Sequence, residues 1–215
     1  TVKGDVHDIG KNITASSQYL NEYQRRDESL QAAQKNAGDD PRLKLAYATA
    51  AAEMYLEHNQ AQAAIDLLQP VQDASSRHFH ATRLLLKAYR QQEDYERVYE
   101  LTRLVLRRSA IDKNEALDYI EYSAAKRIEA ADLEQFKTIW NDLRTEEKSL
   151  VSVALAAAQL LSAHDKHDEV ARILEPAIQQ KPAPELLSAY ARCPQECYSR
   201  RLSKAEEWLQ KHPQD

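Results

Sequence analysis

The chain holds 215 residues, with 29 Lys or Arg against 34 Asp or Glu and a formal net charge of −5. That balance gives no global pull toward nucleic acid or an anionic membrane surface. Only three glycines occur, Gly4, Gly10 and Gly38, too few for the turns of a doubly wound α/β enzyme or a β-sandwich. Ala, Leu, Glu, Gln, Lys and Arg dominate, and these residues lose little on entering a helix.

The first thirteen residues read TVKGDVHDIGKNI, with an Asp-x-His-x-x-Gly motif at Asp5, His7 and Gly10. They resemble the cobalamin-binding loop of B12-dependent methionine synthase. The resemblance implies that His7 replaces the lower axial ligand of cobalt and that Asp5 orients it. In that family the loop sits at the carboxyl edge of a parallel sheet, with Ser/Thr and Gly-Gly segments downstream. Here Ser16 and Ser17 lead straight into a helical pattern. Residues 1–13 therefore read as a foreign or tag-like segment, with a junction near Thr14 to Gln18, and residues 14–215 as one helical repeat domain. Cobalamin binding ranks last among the functions considered.

The apolar spacing then predicts helices in pairs. A partial pair falls at about 15–37, closed by Gly38 with Pro41 behind it. Full pairs follow at about 42–58 and 61–73, 77–92 and 95–108, 114–130 and 133–143, and 147–163 and 167–180. A last pair falls at about 184–192 and 199–211. The longest apolar stretch, Val151 to Leu161, is interrupted by Ser152 and Gln159 and is too short to span a bilayer. No signal-peptide pattern is visible.

The pairs repeat. Tyr55 and Tyr89 stand 34 residues apart, the length of a tetratricopeptide unit. Ala64 and Val98, Leu68 and Thr102, and Val71 and Val105 repeat in the same phase. Upstream, Leu30 and Ala37 precede Ala64 and Val71 by the same step. From Val98 to Phe136 the step is 38, which places four inserted residues near Ser109 to Asn114. From Phe136 to Val170 it is 34 again, with Trp140 and Leu174 in phase, and a step of 35 reaches Ala205, ahead of Trp208 and Leu209. Asn59, Asp94, Ala131 and Asp165 fall at the tight turns within pairs. Glycine is usual there, and its absence predicts some loss of turn stability. The chain resembles the tetratricopeptide-repeat family, which implies an all-α, right-handed superhelix of antiparallel helix pairs.

From about Tyr23 onward it also resembles a narrower group, the HemY-type protohaem IX biogenesis proteins of proteobacteria. The segments that carry this are Asn141-Asp142-Leu143, the run Val153 to Ala158, His164 to Glu169, Ile173 to Ile178, and Ala205 to Leu209. The resemblance implies a soluble, cytoplasmic-side domain of a bacterial inner-membrane protein, anchored by helices outside this sequence. It also implies a scaffold linked to late haem synthesis, with haem-pathway enzymes or porphyrin as partners. A flavin-dependent oxidase is not expected, because no Gly-x-Gly-x-x-Gly occurs.

The inner face of such an array is lined by the first helix of each pair. Counting from Tyr55 and Tyr89, it takes Ala46, Thr49, Glu53 and Leu56, then His80, Arg83, Lys87 and Arg90, then Asp118, Glu121, Ala125 and Ile128. The middle set is cationic and spaced for one helical stripe. It fits an acidic segment, a terminal carboxylate or a porphyrin propionate, since arginine grips carboxylates through two parallel hydrogen bonds. The bland reading is a solvated face paired with nearby acids.

Other candidates favour structural readings. His78 and His80 are two apart and share no helix face. His164 and His167, beside Asp165 and Asp168, flank a turn and read as turn and cap residues. Cys193 and Cys197 lack the partners of a four-ligand zinc site. Tyr55, Tyr89 and Tyr95 read as core. Residues 77–108 carry eight basic and four acidic side chains, too small an excess to predict nucleic-acid binding. No nucleophile elbow, P-loop or His-Glu-x-x-His occurs. The sequence reading is a non-catalytic scaffold or adaptor for a protein or peptide, without cofactor or metal. The alternative is a haem or porphyrin carrier. Unpaired end repeats also predict a capacity to form homodimers.

Overall fold

The computed structural model describes residues 40–74, 78–192 and 198–211, with residues 24–26, 28, 29, 31, 32, 34 and 35 ahead of them. Asp5, His7, Gly10, Leu30, Ala37, Gly38, Cys193 and Cys197 lie outside the described residues. After the helical residues between 24 and 35, eleven helices follow. They are α1 (Pro41–Glu57), α2 (Ala61–Ala74), α3 (Phe79–Gln91), α4 (Tyr95–Arg107), α5 (Lys113–Glu129), α6 (Leu133–Asp142), α7 (Thr145–Lys148), α8 (Val151–Ser162), α9 (His167–Gln180), α10 (Pro184–Ala191) and α11 (Tyr198–Lys211). No strand occurs among the described residues, and no helix there is long and apolar enough to cross a membrane. The fold is all-α, built of antiparallel helix pairs with a tetratricopeptide-like period.

Local chemistry sets the ends. Asp40 accepts from the Arg42 N–H at 2.8 Å, and Pro41 supplies the fixed φ of a first helical residue. Asp94 accepts from Arg97 N–H, and Asp112 from Asn114 N–H. Asp132 and Gln135 close a reciprocal capping box at the start of α6. Non-glycine residues take the left-handed conformation at Asn59 (φ 57°), Glu93 (φ 59°), Ser109 (φ 53°) and Asp165 (φ 57°). The predicted turns at Asn59 and Asp165 coincide with these. At the next turn the left-handed residue is Glu93, one before the predicted Asp94, because Asp94 serves as the helix cap. Ala131 is not left-handed; the Asp132 capping box makes that turn instead.

The residues divide into two compact units, Thr1–Gln91 and Gln92–Asp215. In the first, α1, α2 and α3 bury Ala51, Ala52, Ala64, Leu68, Leu85 and Ala88 completely. Small side chains let the helices approach closely. Two polar links cross this core: Thr82 Oγ1 donates to Gln72 Oε1 at 2.6 Å, and Tyr89 Oη to Gln69 Oε1 at 2.9 Å.

In the second unit, α5, α8 and α9 form the centre. Half of the twelve residues of α8 are buried, Val153, Ala154, Ala156, Ala157, Ala158 and Leu161, because α5, α9 and α10 pack around it. Tyr190 and Trp208 meet edge to face with centroids 5.3 Å apart, closing the end of this core.

The expected helix at 147–163 is broken in two. Its first turn is α7, and the chain re-enters helix at Val151. The cause is Glu147, whose side chain is 1% exposed. Its carboxylate accepts from Arg144 N–H at 2.7 Å and from Arg103 Nη2 at 2.7 Å. Arg103 Nη2 also donates to Tyr99 Oη at 2.6 Å, and the Tyr99 hydroxyl donates to the Asp142 carbonyl at 3.4 Å. On the ring of Tyr99, the Arg127 guanidinium carbon lies 4.6 Å from the centroid. Arg127 in turn pairs with Glu96 at 2.7 Å. The α6–α7 turn is thus tied to α4 through a buried carboxylate. The sequence offers no periodic signal for this tie.

Glu147→Ala leaves Arg103 facing a buried site without its carboxylate, so it is expected to cost about 3–5 kcal/mol of unfolding free energy. Arg97→Ala removes only an exposed pair with Glu100 and costs less than about 0.5 kcal/mol. Urea unfolding of both variants checks this contrast. Glu93→Gly relieves a left-handed glutamate and is expected to raise stability by about 0.5–1 kcal/mol in the same assay. The Tyr95 hydroxyl is pushed up to about 12 by desolvation, with Tyr122 and Glu93 adding to the effect. A raised tyrosine pKa means that the folded state favours the neutral phenol less costly to bury, so the unfolded chain loses its proton first as pH climbs past about 10. Stability therefore falls from there toward the folded value. Melting temperature is expected to drop between pH 10 and 12, and less steeply in Tyr95→Phe.

Candidate functional site

Helix α3 is divided along its length, apart from Phe79 at its first position, which is exposed. Ala81, Thr82, Leu84, Leu85, Leu86, Ala88 and Tyr89 are buried. His80, Arg83, Lys87 and Arg90 are exposed. The buried set follows from the apolar spacing, and the cationic set is what that spacing leaves outside. All four predicted groove residues therefore share one face, at helical steps of three, four and three.

The adjoining face belongs to α1. His80 Nε2 lies 3.1 Å from Glu53 Oε1. Glu53 is itself an inner-face residue by the repeat count, so two inner-face positions meet, although the count matches Glu53 with Lys87 and His80 with Ala46. Thr49 is half-buried and Ala46 exposed beside it. Leu56 departs from the expectation: it is 8% exposed and belongs to the core. Glu57, one turn further along the same face of α1, pairs with Arg26 at 3.3 Å. The surface of this unit thus presents an acidic ridge on α1 next to a cationic stripe on α3.

The third set of inner-face residues is not a binding surface in full. Ala125 and Ile128 are buried in the second unit's core, where α8 packs against α5. Glu121 accepts from the Ser152 N–H at 2.8 Å and so caps the first turn of α8. Asp118 remains exposed.

One repeat step further along, the same count reaches residues that the sequence pattern alone did not single out. Leu155, Gln159 and Ser162, 34 residues beyond Glu121, Ala125 and Ile128, line a half-open groove of about 730 Å³ between α8, α9 and α10. The signal for them is the period itself, applied to one more unit.

The histidine and tyrosine readings fall as follows. His164 Nδ1 lies 2.8 Å from the Leu160 carbonyl at the end of α8. His167 opens α9 and sits 3.7 Å from Asp165. His78 precedes α3 and its carbonyl accepts from Thr82 N–H. Among the described residues no cluster of three metal-ligating side chains occurs. Tyr89 is buried, while Tyr55 and Tyr95 are half-buried. Tyr95 stacks edge-on against Tyr122 at 5.6 Å.

No protein-family model matches the chain, and no curated protein matches it. Among solved structures, a thermophilic tetratricopeptide-repeat protein of Thermus thermophilus aligns over 92% of this chain and 88% of its own, at 16% identity and a TM-score of 0.28. So loose a likeness carries no weight for function, and the helical-repeat fold stands on the helix order and period of this chain.

Proposed function

We propose that the chain is a non-catalytic scaffold or adaptor, and that the α3 stripe holds an acidic segment of a protein partner. The observation that carries this is the partition of α3 from Ala81 to Arg90. Three cationic side chains, Arg83, Lys87 and Arg90, share exposed positions of one stripe with His80, and the helix between them is fixed by buried neighbours on α2 and α1. The helix backbone is fixed by burial, so binding has to order only the exposed side chains. Acidic side chains spaced along an extended or helical segment meet the guanidinium groups of Arg83 and Arg90 through paired hydrogen bonds. Lys87 adds a point charge between them.

Glu53 refines the reading. It already faces His80, so a partner carboxylate competes with it at that end of the stripe. Association with late haem synthesis rests on the sequence resemblance of residues 141–178 and 205–209, and a porphyrin is the second ligand that the same cations fit through its propionates.

The reading predicts that Arg83→Glu combined with Lys87→Glu reduces binding of an acidic peptide at least about tenfold while leaving helicity intact. Fluorescence anisotropy with a labelled glutamate-rich peptide and circular dichroism check the two halves. Unchanged affinity contradicts the assignment. A porphyrin titration separates the second ligand, because only porphyrin binding moves a Soret band.

A further inference from the structure

The groove between α8, α9 and α10 has the anatomy of a separate binding site. Its floor is apolar, made by Leu155 and Ala158 of α8, Val170 of α9 and Ala189 of α10. Ala158 and Val170 are buried, and Leu155 and Ala189 half-buried. Its volume of about 730 Å³ lies within the range of ligand sites.

The two ends of the groove carry opposite charge. Glu185 stands at the first turn of α10, and Arg192 caps the far end of the same helix. Both line the groove and both are exposed. His167 also lines the groove, with Asp165 Oδ1 at 3.7 Å from its Nε2. Lys166 and Glu169, nearby on the same turn, pair with each other at 3.1 Å. Arg192 is therefore the principal cation of that end.

Glu185 and Arg192 are seven positions apart, which on a helix is about 10 Å. An extended peptide advances about 3.3 Å per residue. Charges three positions apart on such a peptide match the two ends. We propose that this groove binds an extended peptide segment with a basic and an acidic residue three positions apart and small apolar side chains between them. Gln159 and Ser162, and Ser188 across from them, line the groove beside its floor and supply hydrogen-bonding partners for the peptide backbone.

The test uses the full chain and three blocked peptides, with central sequences Lys-Leu-Ala-Asp, Glu-Leu-Ala-Asp and Lys-Leu-Ala-Lys. Blocked ends remove terminal charges. Because a peptide can bind in either direction, matched-charge variants are more telling than a simple exchange. Wild-type protein is expected to prefer Lys-Leu-Ala-Asp by about tenfold over the other two. Glu185→Lys is expected to shift the preference to Glu-Leu-Ala-Asp, and Arg192→Glu to Lys-Leu-Ala-Lys. Both substituted residues are exposed, and circular dichroism confirms that each variant folds. The Arg83→Glu, Lys87→Glu variant is expected to keep this preference, so failure at α3 and failure here are distinguishable. Equal affinity for all three peptides, no binding by any of them, or preferences that ignore the substitutions overturns the proposal.

Discussion

A helix with one apolar stripe cannot stand alone in water, and in this chain the stripe is anchored at one repeating position. Ala64, Val98, Phe136 and Val170 occupy that position in successive second helices, and none is more than 5% exposed. One turn further on, Leu68, Thr102 and Leu174 are fully buried as well. Thr102 resolves its hydroxyl by donating to the Val98 carbonyl at 2.7 Å, so a polar group sits in the core without an unmet hydrogen bond. Pro70 and Pro176 lie outside this row, at matching places in α2 and α9, and both face solvent. Water can there serve the carbonyl that proline leaves unbonded.

A second row is polar and has a different role. Gln69, Arg103 and Glu175 hold equivalent places in their helices. Gln69 accepts from Tyr89, Arg103 reaches Glu147, and Glu175 accepts from Tyr190 at 3.0 Å. One position of the repeat thus links each of these second helices to a later element, with chemistry that changes from unit to unit. The Arg103–Glu147 version is the most buried. It fixes the turn between α6 and α7 and splits what the sequence pattern reads as one helix. Buried ion pairs of this kind add little over an apolar pair of the same shape but are costly to break.

The parts of the fold set by nearest neighbours are legible in the sequence. Most helix ends fall within one or two residues of expectation where Asp, Pro or the apolar period marks them. The period also places His80, Arg83, Lys87 and Arg90 on one face. What is not legible depends on contacts distant in sequence. Nothing near Glu147 announces that its partner is Arg103, so the helix break has no local sign. The repeat count assigns Leu56, Ala125 and Ile128 to a surface because it does not say how deeply a neighbouring helix covers it. The basic and acidic ends of the α8–α10 groove lie on a helix of eight residues, shorter than most of its counterparts, where the period is hardest to follow.

The functional reading joins these points. The core fixes α3 in orientation, and that orientation turns His80, Arg83, Lys87 and Arg90 outward beside α1. The central claim is that this face is where an acidic partner lands. Nuclear magnetic resonance titration of the labelled chain with a glutamate-rich peptide tests it most directly. The account predicts shifts concentrated at His80, Arg83, Lys87 and Arg90, and on the neighbouring α1 face at Thr49 and Glu53. An absence of shifts, or shifts confined to residues beyond Gln91, contradicts it.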